Sequence, residues 1–170
     1  MVNLLNSTKH TIAIIVDDET GVLARIVGMF AARGYNIESL NVAPVDDEKK
    51  LSRITVVTKG SATIIEQIKA QLGRIVPTHT IKDLTVECAS LEREIALIKI
   101  VGDEKMRNNA LEIAEDFRAV PIDVKDTAVI FEMVGKCTKV EEFIELMRPL
   151  GLVEIARTGV LAMEKGLGTM

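Results

Sequence analysis

Between Thr11 and Ile37 the chain passes from a strand pattern to a helix pattern and back, and the punctuation between them is explicit. Thr11 to Val16 is a β-branched apolar run, the composition that builds strands. Leu23, Ile26, Val27 and Phe30 then recur at i, i+3, i+4 and i+7, the stripe of an amphipathic helix. The polar turn Asp17-Asp18-Glu19-Thr20-Gly21 separates them. Thr20 occupies the expected N-cap with acids ahead of it, and Gly34 the expected left-handed C-terminal cap.

A helix start leaves backbone N–H groups without partners and carries a partial positive charge. Gly21 has no Cβ, so a small ligand could approach that backbone closely. A free carboxylate suits those amides, and the acids beside them suit an ammonium. Both features together suit an α-amino acid, although a plain capped helix start would produce the same spacing.

The rest of the chain repeats one order. Asn36 to Ala43 alternates apolar and polar as a half-buried strand does, and Pro44 is expected to end it. Leu51 to Thr58 reads as its hairpin partner. Ser61 opens a helix with Ile64, Ile65, Ile68 and Leu72 on one side, and Ile75 to Lys82 is a fourth strand. In the second half Glu94–Val101 reads as a strand. A helix follows with Met106, Ala110, Ile113, Ala114 and Phe117 on one face, then strands at Val120–Val124 and Ala128–Val134. Thr138 to Glu141 has the form of a capping box before a helix with Val140, Phe143, Ile144 and Met147 inward. Leu152–Ala156, extended by Gly159–Met163, supplies the last strand, and the tail from Glu164 is expected to be loose.

The fold class is therefore α+β, two consecutive ferredoxin-like βαββαβ units. The expected domains are 1–83 and 84–170, the first able to fold and dimerise by itself. Both helices of such a unit lie on one face of the sheet, and these strands are apolar enough that the other face should be covered. A two-fold homodimer is the preferred solution.

Composition narrows the function. A net charge of −4 with one tyrosine and no tryptophan gives neither the basic surface nor the stacking aromatics that nucleic acid needs. No apolar run reaches the ~20 residues of a membrane helix, and no secretory leader is evident, so a cytoplasmic protein is expected. Cys88 and Cys137 are isolated, and His10 and His79 lack companion ligands, so no metal site is expected. No nucleophile–base order suggests catalysis. An acylphosphatase-like enzyme would need a cationic first turn, where this chain has Asp17, Asp18 and Glu19.

Three runs of the first half carry a resemblance: Asp18-Glu19-Thr20-Gly21-Val22-Leu23, Arg33-Gly34-Tyr35-Asn36-Ile37-Glu38-Ser39-Leu40 and Leu51-Ser52-Arg53. Leu91-Glu92-Arg93-Glu94-Ile95-Ala96-Leu97-Ile98-Lys99 and Glu154-Ile155-Ala156-Arg157-Thr158-Gly159-Val160 extend it over nearly the whole chain. Together they resemble the small regulatory subunits of acetolactate synthase (acetohydroxyacid synthase), whose N-terminal half is an ACT domain. The resemblance implies a non-catalytic partner of a large catalytic subunit in valine, leucine and isoleucine synthesis. Thiamine diphosphate, Mg and FAD would belong to that large subunit. The small subunit would stimulate it and confer feedback inhibition by valine, bound between the ACT units of two chains.

Carried across, Gly21, Val22 and Leu23 would offer amides to the effector carboxylate, and Asn36 and Ile37 of the other chain would close the site. Such turns commonly have Asn where this chain has Asp18. An ionised Asp only accepts hydrogen bonds and is expected to compete for the helix-start amides. On that basis valine should bind weakly, and Asp18→Asn should tighten it about tenfold. A stand-alone amino-acid-sensing ACT module serving another enzyme is the alternative.

Overall fold

The computed structural model describes residues 7–170. The chain divides into two compact units, one of residues up to Leu91 with the closing segment Ala162–Met170, the other of Glu92–Leu161. The first unit contains β1 (Thr8–Asp17), α1 (Val22–Ala32), β2 (Ser39–Asp46), β3 (Leu51–Gly60), α2 (Ala62–Leu72) and β4 (Thr78–Asp83). Its sheet has the order β2-β3-β1-β4, with all neighbours antiparallel.

Alternation decides which side chains meet the helices. Ile12, Ile14 and Val16 of β1 and Ile54 and Val56 of β3 pack on Val22, Ile26 and Phe30 of α1 and on Ile65, Ile68 and Leu72 of α2. Each such fully buried side chain contributes roughly 1.5–3 kcal/mol. β2 runs on through Pro44 to Asp46 instead of stopping there, with a register shift between those two residues. It is an edge strand, where the missing proline N–H leaves no ladder bond unmade. β4 starts at Thr78, later than the pattern suggested, because Ile75 and Thr78 donate N–H bonds back to Leu72 and Ile75 as turns.

The face of this sheet away from the helices carries Thr11, Ala13 and Ile15 of β1 and Arg53, Thr55 and Val57 of β3, in register. Ala13, Thr55 and Val57 are buried. The end of the chain lies against this face. Arg53 Nη2 donates to the Ala162 carbonyl at 2.7 Å, Lys82 Nζ to Glu164 Oε2 at 2.5 Å, and the Lys165 N–H to Ala89 O at 2.8 Å. Burial lowers the Arg53 guanidinium pKa from its ordinary value, and the Glu164 bond raises that of Lys82. Glu164 and Lys165 are thus held, contrary to the loose tail that their composition suggested.

The second unit repeats the order with β5 (Ser90–Val101), α3 (Glu104–Phe117), β6 (Val120–Val124), β7 (Ala128–Gly135), α4 (Cys137–Met147) and β8 (Leu152–Arg157). The strand order is β6-β7-β5-β8, with a short β9 (Leu161–Glu164) also pairing β5. Phe131 and Phe143 stack edge to face at 5.9 Å in a core with Ile98, Ile100 and Val140. The expected capping box does not form, since α4 starts at Cys137 with Lys136 as an N-cap that makes no side-chain bond. Glu141 is drawn away by Arg157, whose Nη1 donates to it at 2.8 Å. The same guanidinium grips buried Glu94 through two bonds, Nε to Oε1 at 2.9 Å and Nη2 to Oε2 at 2.8 Å. These bonds, Glu94 first, hold the Arg157 pKa above its ordinary value. A bidentate fork of this kind fixes geometry as well as charge, and it ties the start of β5 to the end of β8.

Candidate functional site

The turn after β1 is held by backbone bonds, not by a side-chain cap. Asp18 N–H donates to Lys50 O at 2.6 Å and Glu19 N–H to Asp17 O at 3.0 Å. The N-cap of α1 is Gly21, not Thr20 as expected, with φ 89° and ψ −6° and no cap bond. That left-handed conformation suits a residue without Cβ, and threonine in its place would be strained. Arg25 N–H closes the first helical bond on Gly21 O at 3.0 Å, while Val22 N–H reaches Glu19 O only at 3.4 Å. The amides of Gly21 and Leu23 make no hydrogen bond among the described residues. Space over the turn is open, since a Cβ built on Gly21 would have nothing within 4 Å.

The three acids of the turn divide. Asp17 Oδ1 accepts from His79 Nε2 at 2.5 Å, and Glu19 Oε1 accepts from Arg25 Nη2 at 2.6 Å. Asp18 makes no side-chain hydrogen bond or ion pair among the described residues. The expected competition of Asp18 for the helix-start amides is therefore absent. One carboxylate stands uncommitted beside two uncommitted amides.

Asn36 and Ile37 lie at the other end of α1, in the loop before β2 and not on a strand as the alternation suggested. Gly34, at φ 67°, places its N–H on Ala31 O at 3.1 Å, and Tyr35 places its own on Phe30 O at 3.0 Å. This is a Schellman cap, sealed by the Phe30 and Tyr35 rings packed edge-on at 6.2 Å. The turn leaves Asn36 O facing buried Thr58, whose hydroxyl donates to it at 2.6 Å. Asn36 is exposed and Ile37 half-buried against the core. α1 has 11 residues, so about 16 Å of helix separates Gly21 from this loop. Within one chain, Asp18, Gly21, Val22 and Leu23 are brought together, and Asn36 and Ile37 are not.

Unpaired surfaces of this unit include one helix face and one sheet edge. The outer side of α1 presents Leu23, Ala24, Val27, Gly28 and Ala31, exposed and without charge. β2 has a partner on one edge only. The second unit offers no equivalent of the open turn, for Asp103 is the N-cap of α3 and its Oδ1 accepts from Met106 N–H at 2.8 Å. There the protein's own carboxylate occupies the helix start.

Sequence reasoning gave Arg25 no role, yet its guanidinium spans the turn. Its Nη1 donates to Val76 O and its Nε to Gly21 O at 3.5 Å, besides the Glu19 bond. The signal was available: a cation in the first turn of a helix opposes the helix dipole and calls for a specific partner.

Comparison with known families gives two matches. Residues 12–80 match the AHAS small subunit-like ACT domain, and residues 93–166 match the small subunit of acetolactate synthase. The probable acetolactate synthase small subunit of Archaeoglobus fulgidus is 41% identical over 158 residues, covering 93% of this chain and 98% of that protein. The isozyme 3 small subunit of Escherichia coli is 36% identical over 159 residues, covering 93% and 96%. The crystal structure of the Thermotoga maritima acetolactate synthase small subunit superposes with a TM-score of 0.84 at 35% identity, covering 94% of this chain and 98% of that one.

Proposed function

The chain belongs to the family of acetolactate synthase small subunits, and from that premise we propose that it is a non-catalytic regulatory subunit acting in the cytoplasm. It stimulates a large catalytic subunit, to which thiamine diphosphate, Mg and FAD belong, and it confers feedback inhibition by valine. The observation that carries the effector reading is the start of α1, where unpaired amides, open space and the uncommitted Asp18 carboxylate adjoin. An α-amino acid presents the complementary pair, an anion for the amides and an ammonium for Asp18.

A dimer completes the site. A two-fold axis across the outer faces of α1 sets the helix start of one chain beside the Asn36–Ile37 loop of its partner. The small residues Ala24, Gly28 and Ala31 permit a close helix–helix approach, and the open edge of β2 is free to pair alongside. Burying Leu23 and Val27 there supplies the hydrophobic contribution.

Two measurements on the full chain test this reading. Affinity-tagged chain is expected to retain the large subunit of acetolactate synthase, and titration calorimetry with valine is expected to give saturable heat. Capture of another enzyme without the large subunit would favour a stand-alone sensing module, and absence of valine binding would remove the effector site.

The free state of Asp18 reverses the sign expected from the sequence alone. Asp18→Asn is expected to weaken valine binding about tenfold, since a charge-assisted bond to the ammonium contributes about 1.5–3 kcal/mol and tenfold corresponds to about 1.4. Calorimetry at one pH and salt concentration is the check, and tighter binding in the mutant would return Asp18 to the role of competitor.

A further inference from the structure

We propose that Arg25 is the positioning residue of the effector turn, a clamp that holds the amides of Gly21–Leu23 in the outward-facing arrangement in which valine meets them. This inference rests on the effector reading given above. Its basis is geometric. Side chains on a helix lean toward its N-terminus, so Arg25, one turn into α1, lies back over the turn it follows.

One guanidinium there joins a side-chain carboxylate and two backbone carbonyls. Nη2 binds the Glu19 carboxylate at 2.6 Å on the near side of the turn. Nε reaches the carbonyl of Gly21, the left-handed residue at the N-cap, at 3.5 Å. Nη1 donates to the carbonyl of Val76, in the loop between α2 and β4. The helix dipole does not favour a cation at this place, and an exposed ion pair adds little to global stability. The turn, however, has no side-chain cap of its own, and a glycine at its hinge leaves it free to rearrange. The clamp supplies the constraint that a capping residue would otherwise give, without occupying the amides. A ligand site must be held within about 0.5 Å of its productive geometry, so loosening the clamp weakens binding although Arg25 itself need not touch the effector.

The test uses the full chain and two readouts. Hydrogen–deuterium exchange of the bonded turn amides, those of Asp18, Glu19 and Val22, is expected to speed up at least fivefold in Arg25→Gln and less in Arg25→Lys, with the melting temperature within a few degrees of the wild type. The dissociation constant for valine is expected to rise about tenfold in Arg25→Gln. Glu19→Gln should weaken binding in the same direction, and the double variant should be no worse than Arg25→Gln, because both remove one clamp. Unchanged exchange in Arg25→Gln overturns the clamp whatever valine does. Tighter valine binding in Glu19→Gln also overturns it, since that result makes Arg25 a direct ligand held back by Glu19. Faster exchange in Arg25→Gln, in a wild type that binds no valine, supports the clamp and sinks the effector reading instead.

Discussion

A chain carrying Gly21→Asp is expected to bind valine at least a hundredfold more weakly than the wild type. Acetolactate synthase reconstituted with it should show the same activity with and without valine. Two effects act in the same direction. At φ 89° a side chain is strained, so the turn shifts away from its ligand-ready form. The space over Gly21, empty to 4 Å, would then hold a carboxylate where the effector's own carboxylate belongs. Charge repulsion and a lost pair of amide bonds together exceed the ~2.8 kcal/mol that a hundredfold requires. Gly21→Ala separates the causes, for it has the strain without the charge and should lose less. The decisive figure is the ratio of activities with and without saturating valine, and a Gly21→Asp enzyme as valine-sensitive as the wild type would exclude this turn as the effector site.

Removing the closing segment, by ending the chain at Leu161, is expected to lower the melting temperature by roughly 3–12 °C. The truncation deletes the Ala162 carbonyl and leaves Arg53, half-withdrawn from solvent by burial, without its acceptor. A hydrogen bond from a charged donor contributes about 1.5–3 kcal/mol, and Ala162 is itself buried. Arg53→Leu, which removes the donor and keeps the segment, should reproduce part of the loss. Calorimetric melting of the three proteins decides it, and a truncated chain melting with the wild type would mean that the segment holds nothing in place.

What could be read in the sequence was local. Gly34 marks the left-handed C-terminal cap of α1, and the structure forms it, with Phe30 and Tyr35 completing a Schellman cap. The apolar stripes of α2 and α4 and the two βαββαβ orders follow from periodicity, which tertiary packing reinforces. Of the stripe expected on α1, only Ile26 and Phe30 turn inward, joined by Val22, while Leu23 and Val27 are exposed. Two readings of helix starts failed where a competitor was available. Gly21 took the N-cap from Thr20, because only the glycine tolerates the left-handed turn that leads off β1. Arg157 took Glu141, 16 positions before it, from its capping box, while also binding Glu94, 63 positions before it. The chemistry of the turn was illegible for the same reason. Asp17, Asp18 and Glu19 look alike in sequence, and only His79, 62 residues further on, and Arg25 on the helix distinguish the free carboxylate from the engaged ones. The separation of Asn36 from Gly21 follows from the length of the helix between them, as their expected placement on different chains requires.

The return of the chain end to the first sheet has a consequence for biosynthesis. Arg53 and Lys82 are in place once β3 and β4 have formed, but their acceptors, Ala162 and Glu164, come much later in the chain. Roughly 80 residues separate Asp83 from Ala162, and at about 5–20 residues per second the ribosome needs about 4–16 s to supply them. During that interval the nascent first unit displays Arg53 and Lys82 on this sheet without the acceptors they meet in the finished fold. The first unit is therefore completed only after the second has been made. A gene fusion or stop codon placed after β4 would yield a polypeptide with a sheet face held permanently in that unfinished state.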